Sequence, residues 1–254
     1  MSLKIFSQAP YYDDYDETKK YLRVLFRPGV SLQVRELNQL QSYLQSQVER
    51  VGLHLFKEGA MVIPGQSSVD TEVTYLKIES ETNAIDINTI VDDLVGATIT
   101  GQTSGVTARV AKVVAEEANA DNPLVTDAIT LFIRYTSSGD DNTTKTFVAG
   151  ESLVASADTT ISGLERTVQI KTGSGVIGKS ALASIEQGIY FVKGQFALVE
   201  SQTIVLEKYS NTPTYRVGLN IAENIIDSND DNTLNDNANG VPNENAPGAH
   251  RYQI

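Results

Sequence analysis

The sequence contains no cysteine in its 254 residues, so neither disulfides nor thiolate metal sites can stabilise the protein. It has only two histidines, His54 and His250, and neither has a serine or acidic residue at a spacing typical of a catalytic triad or a metal pair. No apolar run approaches the about 20 residues of a membrane helix, and the N-terminus lacks a signal-peptide pattern. We therefore predict no enzymatic activity, no cofactor, no metal site and no membrane insertion.

Basic residues are also few, 20 against 32 acidic ones, which gives a formal net charge of −12. Nucleic-acid binders gather Lys and Arg to release the counterions of the phosphates. Here the basic residues occur singly or in short pairs such as Lys19-Lys20. The excess of acid favours solubility and disfavours non-specific contacts, so we predict no nucleic-acid partner.

The strongest pattern in the sequence is a single long helix within residues 28–65. Ser31 is a suitable N-cap, and Gly59 followed by Pro64-Gly65 is a suitable stop. The pattern predicts a helix over residues 32–56, roughly 37 Å long.

Apolar residues on this predicted helix recur in alternating steps of three and four, with one polar interruption. In heptad terms, one seam position is taken by Val34, Gln41, Val48 and Leu55, and the other by Leu37, Leu44 and Val51. Two interpretations are open. The helix lies along a β-rich body, or it associates with copies of itself, in a trimer, with Gln41 fixing the register.

The first 30 residues contain clustered tyrosines and acidic residues but no helix pattern. Tyr11, Tyr12 and Tyr15 are suited to an arm that docks on a neighbouring subunit, because a tyrosine ring is apolar at one end and polar at the other. An ordinary extended segment that packs on its own domain is the other possibility. Residues 21–26 then predict a short strand before the turn at Pro28-Gly29.

After the helix the apolar period changes from 3.6 to 2, which is typical of β-strands. Strands are predicted at residues 60–63, 73–78, 84–90, 168–171, 188–192, 195–199, 203–208 and 215–222, with a hairpin turn at Lys193-Gly194. Between them, residues 91–156 contain short β-branched runs separated by glycines, which is typical of a small barrel or sandwich.

The predicted fold is therefore mainly β with one long N-terminal α-helix: a β-sandwich or barrel body with an inserted small β-barrel module. The predicted parts are an extended N-terminal arm at 1–30, the helix and parent β-domain at 31–90 plus 157–222, the inserted barrel at 91–156, and an irregular Asn/Asp-rich connection at 223–254. The last five residues have the pattern of a further strand, as expected if the chain is an N-terminal module.

Residues 173–180, GSGVIGKS, match the phosphate-binding pattern GxxxxGK[ST]. In a P-loop, Lys179 would reach the phosphates and Ser180 would hold Mg²⁺. Residues 181–187 are too short for the helix that must follow, and the flanking chain lacks βαβ alternation. We interpret the match as coincidental and keep a nucleotide-binding protein only as an alternative.

A second motif lies in the Asn/Asp-rich connection. Asp227, Asn229 and Asp231 match the first three ligand positions of a calcium loop. However, Asn232 replaces the turn glycine and Ala238 replaces the bidentate glutamate. The sequence leaves open whether residues 227–236 bind a cation or form Asx turns.

Several short motifs together resemble a protein family. They are YYDD at 11–14, VLFRPG at 24–29, RELNQLQ at 35–41, FKEG at 56–59, the Pro64-Gly65 turn, EQGIYFVKGQF at 186–196 and the segment from Asp230 to the end. This set resembles an uncharacterised N-terminal domain of tailed-phage structural proteins, common in tail-fibre and baseplate genes of phages that infect cyanobacteria and other bacteria.

The resemblance implies a structural virion protein of a phage tail, synthesised in the host cytoplasm. We expect it to be the N-terminal attachment part of a tail fibre or a baseplate component, with other tail or baseplate proteins as partners. Fibres are usually trimers, so the helix is expected near a three-fold axis. The alternative function is a carbohydrate- or host-receptor-binding module whose loops lie within residues 91–156.

Overall fold

A computed structural model describes residues 6–118, 124, 126–156, 167–238 and 240–254. It is mainly β, with 37% of residues in strands and 16% in helices, and so confirms the predicted fold class. The chain forms two compact units. The first contains Met1–Ala60, Phe191–Ala197 and Arg216–Ile254, and the second contains Met61–Tyr190 and Leu198–Tyr215.

Helix α1 spans Val34–Leu55 and is the only α-helix of the described residues. The strands in the first half of the chain are β1 (Ala60–Ile63), β2 (Ser67–Asp70), β3 (Thr74–Lys77), β4 (Glu81–Thr82), β5 (Ile85–Asp86), β6 (Thr98–Gly101), β7 (Thr107–Val114), β8 (Glu117–Ala118), β9 (Thr126–Asp127) and β10 (Thr130–Ser137). Those in the second half are β11 (Ser152–Ala155), β12 (Thr167–Gln169), β13 (Ile177–Lys179), β14 (Ala181–Ile185), β15 (Gly188–Val192), β16 (Gln195–Val199), β17 (Gln202–Glu207), β18 (Asn224–Ile226), β19 (Asn235–Asp236), β20 (Asn243–Pro247) and β21 (Arg251–Gln253).

The second unit is built on a seven-stranded antiparallel sheet that curls into a half-barrel. Its strand order is β12-β11-β6-β7-β10-β3-β13. At the centre, Leu131 of β10 lies opposite Val113 of β7 on one side and Leu76 of β3 on the other. β-Branched and leucine residues dominate these strands, and their buried side chains form one continuous core. The largest fully buried members of this core come from the strands and from the segments between them: Leu76, Ile78, Ile87, Leu94, Ile99, Ile129, Leu131, Ile133, Leu153 and Ile170.

A smaller sheet of the second unit has the order β17-β14-β2. The outer face of the large sheet contributes Tyr75 and Phe132 to a second buried cluster with Val73 and Leu182. Tyr209 is partly buried and packs against this cluster, with its ring centroid 5.0 Å from that of Tyr75.

The first unit is organised around α1. Gln33 is its N-cap, and the Glu36 carboxylate accepts a hydrogen bond of 3.0 Å from the Gln33 backbone N–H. This satisfies a donor that would otherwise be exposed at the helix start. The prediction of Ser31 as N-cap was therefore wrong. The helix begins two residues later, where a carboxylate three residues beyond the cap is available.

The C-terminal end of α1 packs on the turn of the β15–β16 hairpin. The predicted turn residues Lys193 and Gly194 both have positive φ, as a tight hairpin turn requires. The rings of Phe56, Phe191 and Phe196 form a cluster with centroids 5.3–6.0 Å apart. Strands β1, β15 and β16 form a three-stranded sheet of order β1-β15-β16.

The Asn/Asp-rich connection is more regular than predicted. β18 pairs with β21, which places Ile225 opposite Tyr252, and β19 pairs with β20. The strand predicted at the end of the sequence is thus present as β21. Because β18 and β21 lie more than 20 residues apart in sequence, the local composition gave no sign of that pairing.

Three predicted strands were wrong. Residues 21–26 and 215–222 have no strand assignment, and residues 84–90 contain only β5 followed by a 3₁₀ turn at Ile87–Thr89. The apolar residues of 21–26 and 215–222 have the composition of strands, but no neighbouring strand of the described chain pairs with their backbones.

The predicted domain boundaries stay a prediction. Strands β3, β12 and β13 belong to the predicted parent domain and share one sheet with β6, β7, β10 and β11 of the predicted inserted barrel. The predicted boundary after residue 156 is followed by residues 157–166, which lie outside the described residues. Residues 1–5 of the predicted arm lie outside them as well. No helix of the described residues is long and apolar enough to cross a membrane.

Candidate functional site

The polar face of α1 is occupied by the N-terminal segment of the same chain. Asn38 Nδ2 donates to the Tyr11 carbonyl at 3.2 Å, and the Arg50 guanidinium lies 2.6 Å from a Glu17 carboxylate oxygen. Between these contacts, the rings of Tyr15 and Tyr43 meet edge to face at 5.2 Å. Residues 11–17 therefore run along α1 towards its C-terminal end.

The centre of this contact is a buried polar pair. The Ser42 hydroxyl donates to Oδ2 of Asp13, whose side chain is only 1% exposed. Burial raises the pKa of the Asp13 carboxyl, because a charged form is poorly solvated there, and the Ser42 hydrogen bond partly offsets this. The residues of α1 that become buried are Ser42, Tyr43, Ser46 and Gly52, none of which belongs to the predicted apolar seam.

The apolar seam of α1 is exposed. Its six apolar members, Val34, Leu37, Leu44, Val48, Val51 and Leu55, are between 41% and 75% exposed. The interpretation that α1 lays its apolar side on the β-rich body therefore does not match the structure. The interpretation that the seam meets copies of itself stays a prediction.

The polar seam residue Gln41 is exposed as well, and it lies at the border between the seam and the polar face. Together with Ser42 and Gln45 it lines a small cavity on the side of the N-terminal segment. Gln41 makes no hydrogen bond to any described residue, so its amide is available either to a second helix or to a ligand.

The three tyrosines proposed for docking are placed differently. The Tyr11 hydroxyl is hydrogen-bonded to Nδ1 of His250 at 2.7 Å, and the Tyr15 ring packs on Tyr43. Both are therefore held within the first unit. Tyr12 is 56% exposed and has a positive φ of 43°, so it alone of the three points a largely free ring at solvent.

Sequence reasoning missed a second exposed apolar segment, which we call the apolar arm (residues 21–32). Its large exposed side chains are Tyr21, Leu22, Leu25, Phe26, Val30 and Leu32. Since Glu17 lies beside Arg50 and Gln33 begins α1, the arm must return along the length of the helix. The density of leucine and aromatic residues was the available signal, and it was interpreted as a strand.

The GSGVIGKS motif does not form a phosphate-binding loop. Its second half is strand β13, and the residues after it form strand β14. Lys179 Nζ donates to the Glu72 carbonyl at 2.8 Å and lies 3.2 Å from the Glu72 carboxylate. Ser180 is fully buried and donates to the Glu207 carbonyl at 2.6 Å. Both side chains therefore donate hydrogen bonds to backbone carbonyls of their own unit.

The calcium-like segment forms local turns. Asp227 accepts from the Asn229 backbone N–H at 2.7 Å, and Asp231 accepts from the Thr233 N–H at 2.9 Å. The Asn229 hydrogen bond lowers the pKa of the Asp227 carboxyl, and hydrogen bonds from the Thr233 hydroxyl and backbone N–H lower the pKa of the Asp231 carboxyl. The geometry is that of Asx turns. Among the described residues no group of three or more acidic or histidine side chains is arranged to hold a metal ion.

The loops of residues 91–156, proposed for carbohydrate binding, are fixed by carboxylates. Glu151 is buried and accepts from the backbone N–H groups of Val148, Thr103 and Ser104 at 2.5, 3.2 and 3.0 Å. Asp141 accepts from Thr143 and Thr144 through both backbone and hydroxyl, which strongly lowers the pKa of its carboxyl. Both acids are therefore hydrogen-bonded within their loops, Glu151 as a buried residue and Asp141 as an exposed one.

Comparison with known protein families gives one match, to a family described as Domain of unknown function (DUF4815), over residues 9–173 and 166–254. The chain belongs to the DUF4815 family. No curated protein and no solved structure matches the chain. The two matched ranges together include α1, the apolar arm and both pairs of C-terminal strands, β18 with β21 and β19 with β20.

Proposed function

We propose that this DUF4815 chain is a non-enzymatic structural subunit that assembles with copies of itself through the seam of α1. The observation that carries the proposal is the exposure of the whole seam on a helix whose polar face is already occupied. An amphipathic helix in a soluble protein normally buries its apolar side. Here that side has no partner among the described residues, so the partner is a further chain.

The spacing of the seam specifies what kind of partner fits. Residues at positions a and d of a heptad repeat pack into the matching positions of an equivalent helix. The seam has this spacing from Val34 to Leu55, and the exposed residues of the apolar arm add further apolar surface. Contiguous exposed apolar patches of this kind mark interaction sites. A second and third copy of α1 complete the seam, with Gln41 of each copy meeting the others.

The assembly that we propose is a phage tail. The support is the resemblance of the motifs at residues 11–14, 24–29, 35–41 and 56–59 to tailed-phage structural proteins. The subunit is then made in the host cytoplasm and incorporated into the virion, as the attachment part of a tail fibre or a baseplate component. Its partners are two further copies of itself and other tail or baseplate proteins.

Light scattering of the purified protein, coupled to size exclusion, tests the self-association. The expected mass is three times the chain mass of 27.6 kDa. Val48→Asp places a charge in the seam, and we expect it to give a single chain, because an unpaired buried charge costs several kcal/mol. Val241→Asp is the matched control, because Val241 is also exposed (66%, against 48% for Val48) but lies outside α1, and it should keep the wild-type mass.

A wild-type protein that stays a single chain at the highest soluble concentration would refute the proposal. So would a Val48→Asp variant that is folded by circular dichroism and keeps the full mass. Placement in a tail is tested separately, by detecting the protein in purified virions by mass spectrometry. Absence from virions would leave self-association intact but exclude the tail.

A further inference from the structure

A small cavity of about 160 Å³ lies within the first unit, beside the polar face of α1. Asn38, Gln41, Ser42 and Gln45 form one wall. These positions are separated by three, one and three residues, which places them on one side of the helix. The opposite wall is formed by residues of the N-terminal segment and of β21.

The apolar part of the lining is a set of aromatic rings in fixed positions. The Phe6 ring meets Tyr252 at 5.1 Å and Tyr11 at 6.0 Å, in both cases edge to face. The Tyr11 ring in turn meets His250 at 5.8 Å, and their polar atoms are hydrogen-bonded at 2.7 Å. Because each ring is held by another, the cavity is preformed rather than created by a ligand.

The polar part of the lining contains groups without partners. Oδ1 of Asp13 is buried and has no hydrogen-bond partner among the described residues, although Oδ2 accepts from Ser42. The amides of Gln41 and Gln45 make no hydrogen bond within the described chain. A buried carboxylate oxygen without a donor costs free energy, so this site favours a molecule that supplies one.

The polar groups that line the cavity include both hydrogen-bond donors and hydrogen-bond acceptors. Asp13 only accepts while it is ionised, the glutamine amides each donate and accept, and the Arg251 guanidinium only donates. One nitrogen of Arg251 is already bonded to the carbonyls of Ala249 and His250, which holds the guanidinium in place. A ligand must therefore carry both donors and acceptors along one edge and an apolar face against the rings. Hydroxyl groups on a saturated ring meet both requirements.

We propose that this cavity binds a neutral, hydroxyl-rich ring, namely one sugar residue. Its hydroxyls hydrogen-bond to Asp13 and Gln45, and its C–H face packs on Tyr252 and Phe6. A simple cation is disfavoured because Arg251 lines the same cavity. The site lies in a single chain and does not depend on the proposed assembly.

Ligand-observed saturation-transfer NMR tests this site with D-glucose, D-galactose and N-acetyl-D-glucosamine at millimolar concentration. At least one sugar should receive saturation from the protein. Gln45→Ala removes an amide that has no partner in the fold, so the protein should keep its stability while sugar affinity falls by about fivefold. Gln47→Ala is the control on the same helix, because Gln47 is exposed and outside the cavity.

Saturation of none of the three sugars would overturn the proposal, and so would an equal loss for Gln45→Ala and Gln47→Ala. Methylammonium chloride serves as a probe for the competing class of ligand. If methylammonium receives saturation from the protein and none of the sugars does, the cavity is a cation site and the proposal fails. The light-scattering mass of Gln45→Ala should equal that of the wild type, which separates this result from the test of assembly.

Discussion

At the scale of single residues, Glu151 shows how one buried carboxylate can hold several loops. It lies immediately before β11 and accepts from Val148 in its own loop and from Thr103 and Ser104 in the turn between β6 and β7. Hydrogen bonds to a charged acceptor are roughly twice as strong as neutral ones. The carboxylate thus joins two loops of the half-barrel that are nearly 50 residues apart in sequence.

We expect Glu151→Gln to lower the free energy of unfolding by about 2 kcal/mol. One carboxylate oxygen becomes an NH₂ group, which cannot accept, so at least one backbone N–H is left without a partner. Urea unfolding followed by circular dichroism measures the change. Glu200→Gln is the control, because Glu200 is exposed, and it should stay within about 0.5 kcal/mol of wild type. An equal effect of both variants would mean that net charge, not the buried hydrogen bonds, is responsible.

At the scale of elements, the position of α1 depends on a close approach at Gly52. A Cβ at this position would lie 2.3 Å from Cε2 of Phe191, and Phe191 is fully buried. The missing side chain lets the β15 end of the hairpin reach the helix backbone. A glycine costs about 1 kcal/mol relative to alanine in a helix interior, and the packing of Phe191 offsets this.

We expect Gly52→Val to destabilise the protein by about 2 kcal/mol, because the new methyl groups overlap the Phe191 ring. The change should appear in thermal unfolding as a lower midpoint. Gln47→Val introduces the same side chain at an exposed position of α1 and should change the stability by less than about 0.5 kcal/mol. A Gly52→Val variant as stable as wild type would show that α1 does not pack on the hairpin.

At the scale of the whole molecule, the proposed trimer requires the three copies of α1 to run parallel about one axis. Equivalent residues then meet at every level of the seam. Because the chain has no cysteine, a single introduced cysteine reports its own neighbours without interference. Leu37 is suited to this because it lies in the seam but far from its midpoint.

We expect Leu37→Cys to give chains cross-linked in pairs by a short bis-maleimide reagent, as seen on denaturing gels. Val241→Cys lies outside the seam and should give none. In an antiparallel pair, the two seam positions face each other, so Leu37 would instead meet a residue such as Val48 of the other helix. Cross-linking only after Leu37→Cys and Val48→Cys proteins are mixed would therefore refute the three-fold arrangement.

The sequence by itself determined the elements that depend on local periodicity. The heptad spacing from Val34 to Leu55 predicted α1 to within two residues at each end, and the alternation around Lys193-Gly194 predicted the β15–β16 hairpin. The strand predictions at residues 21–26 and 215–222 were wrong because strand pairing is not a local property. A strand needs a paired neighbour, and the apolar composition of a segment does not say whether one exists.

Tertiary structure alone decided which side of α1 faces its own chain. Periodicity favoured burial of the leucine and valine seam, yet the buried residues are Ser42, Tyr43, Ser46 and Gly52. Their partners, Asp13, Tyr15 and Phe191, are separated from them by about 30 to 140 positions, so no local pattern could indicate the contacts. The polar face is occupied and the apolar seam is left exposed. That outcome follows from hydrogen bonds and ring contacts between distant segments, which only the folded chain brings together.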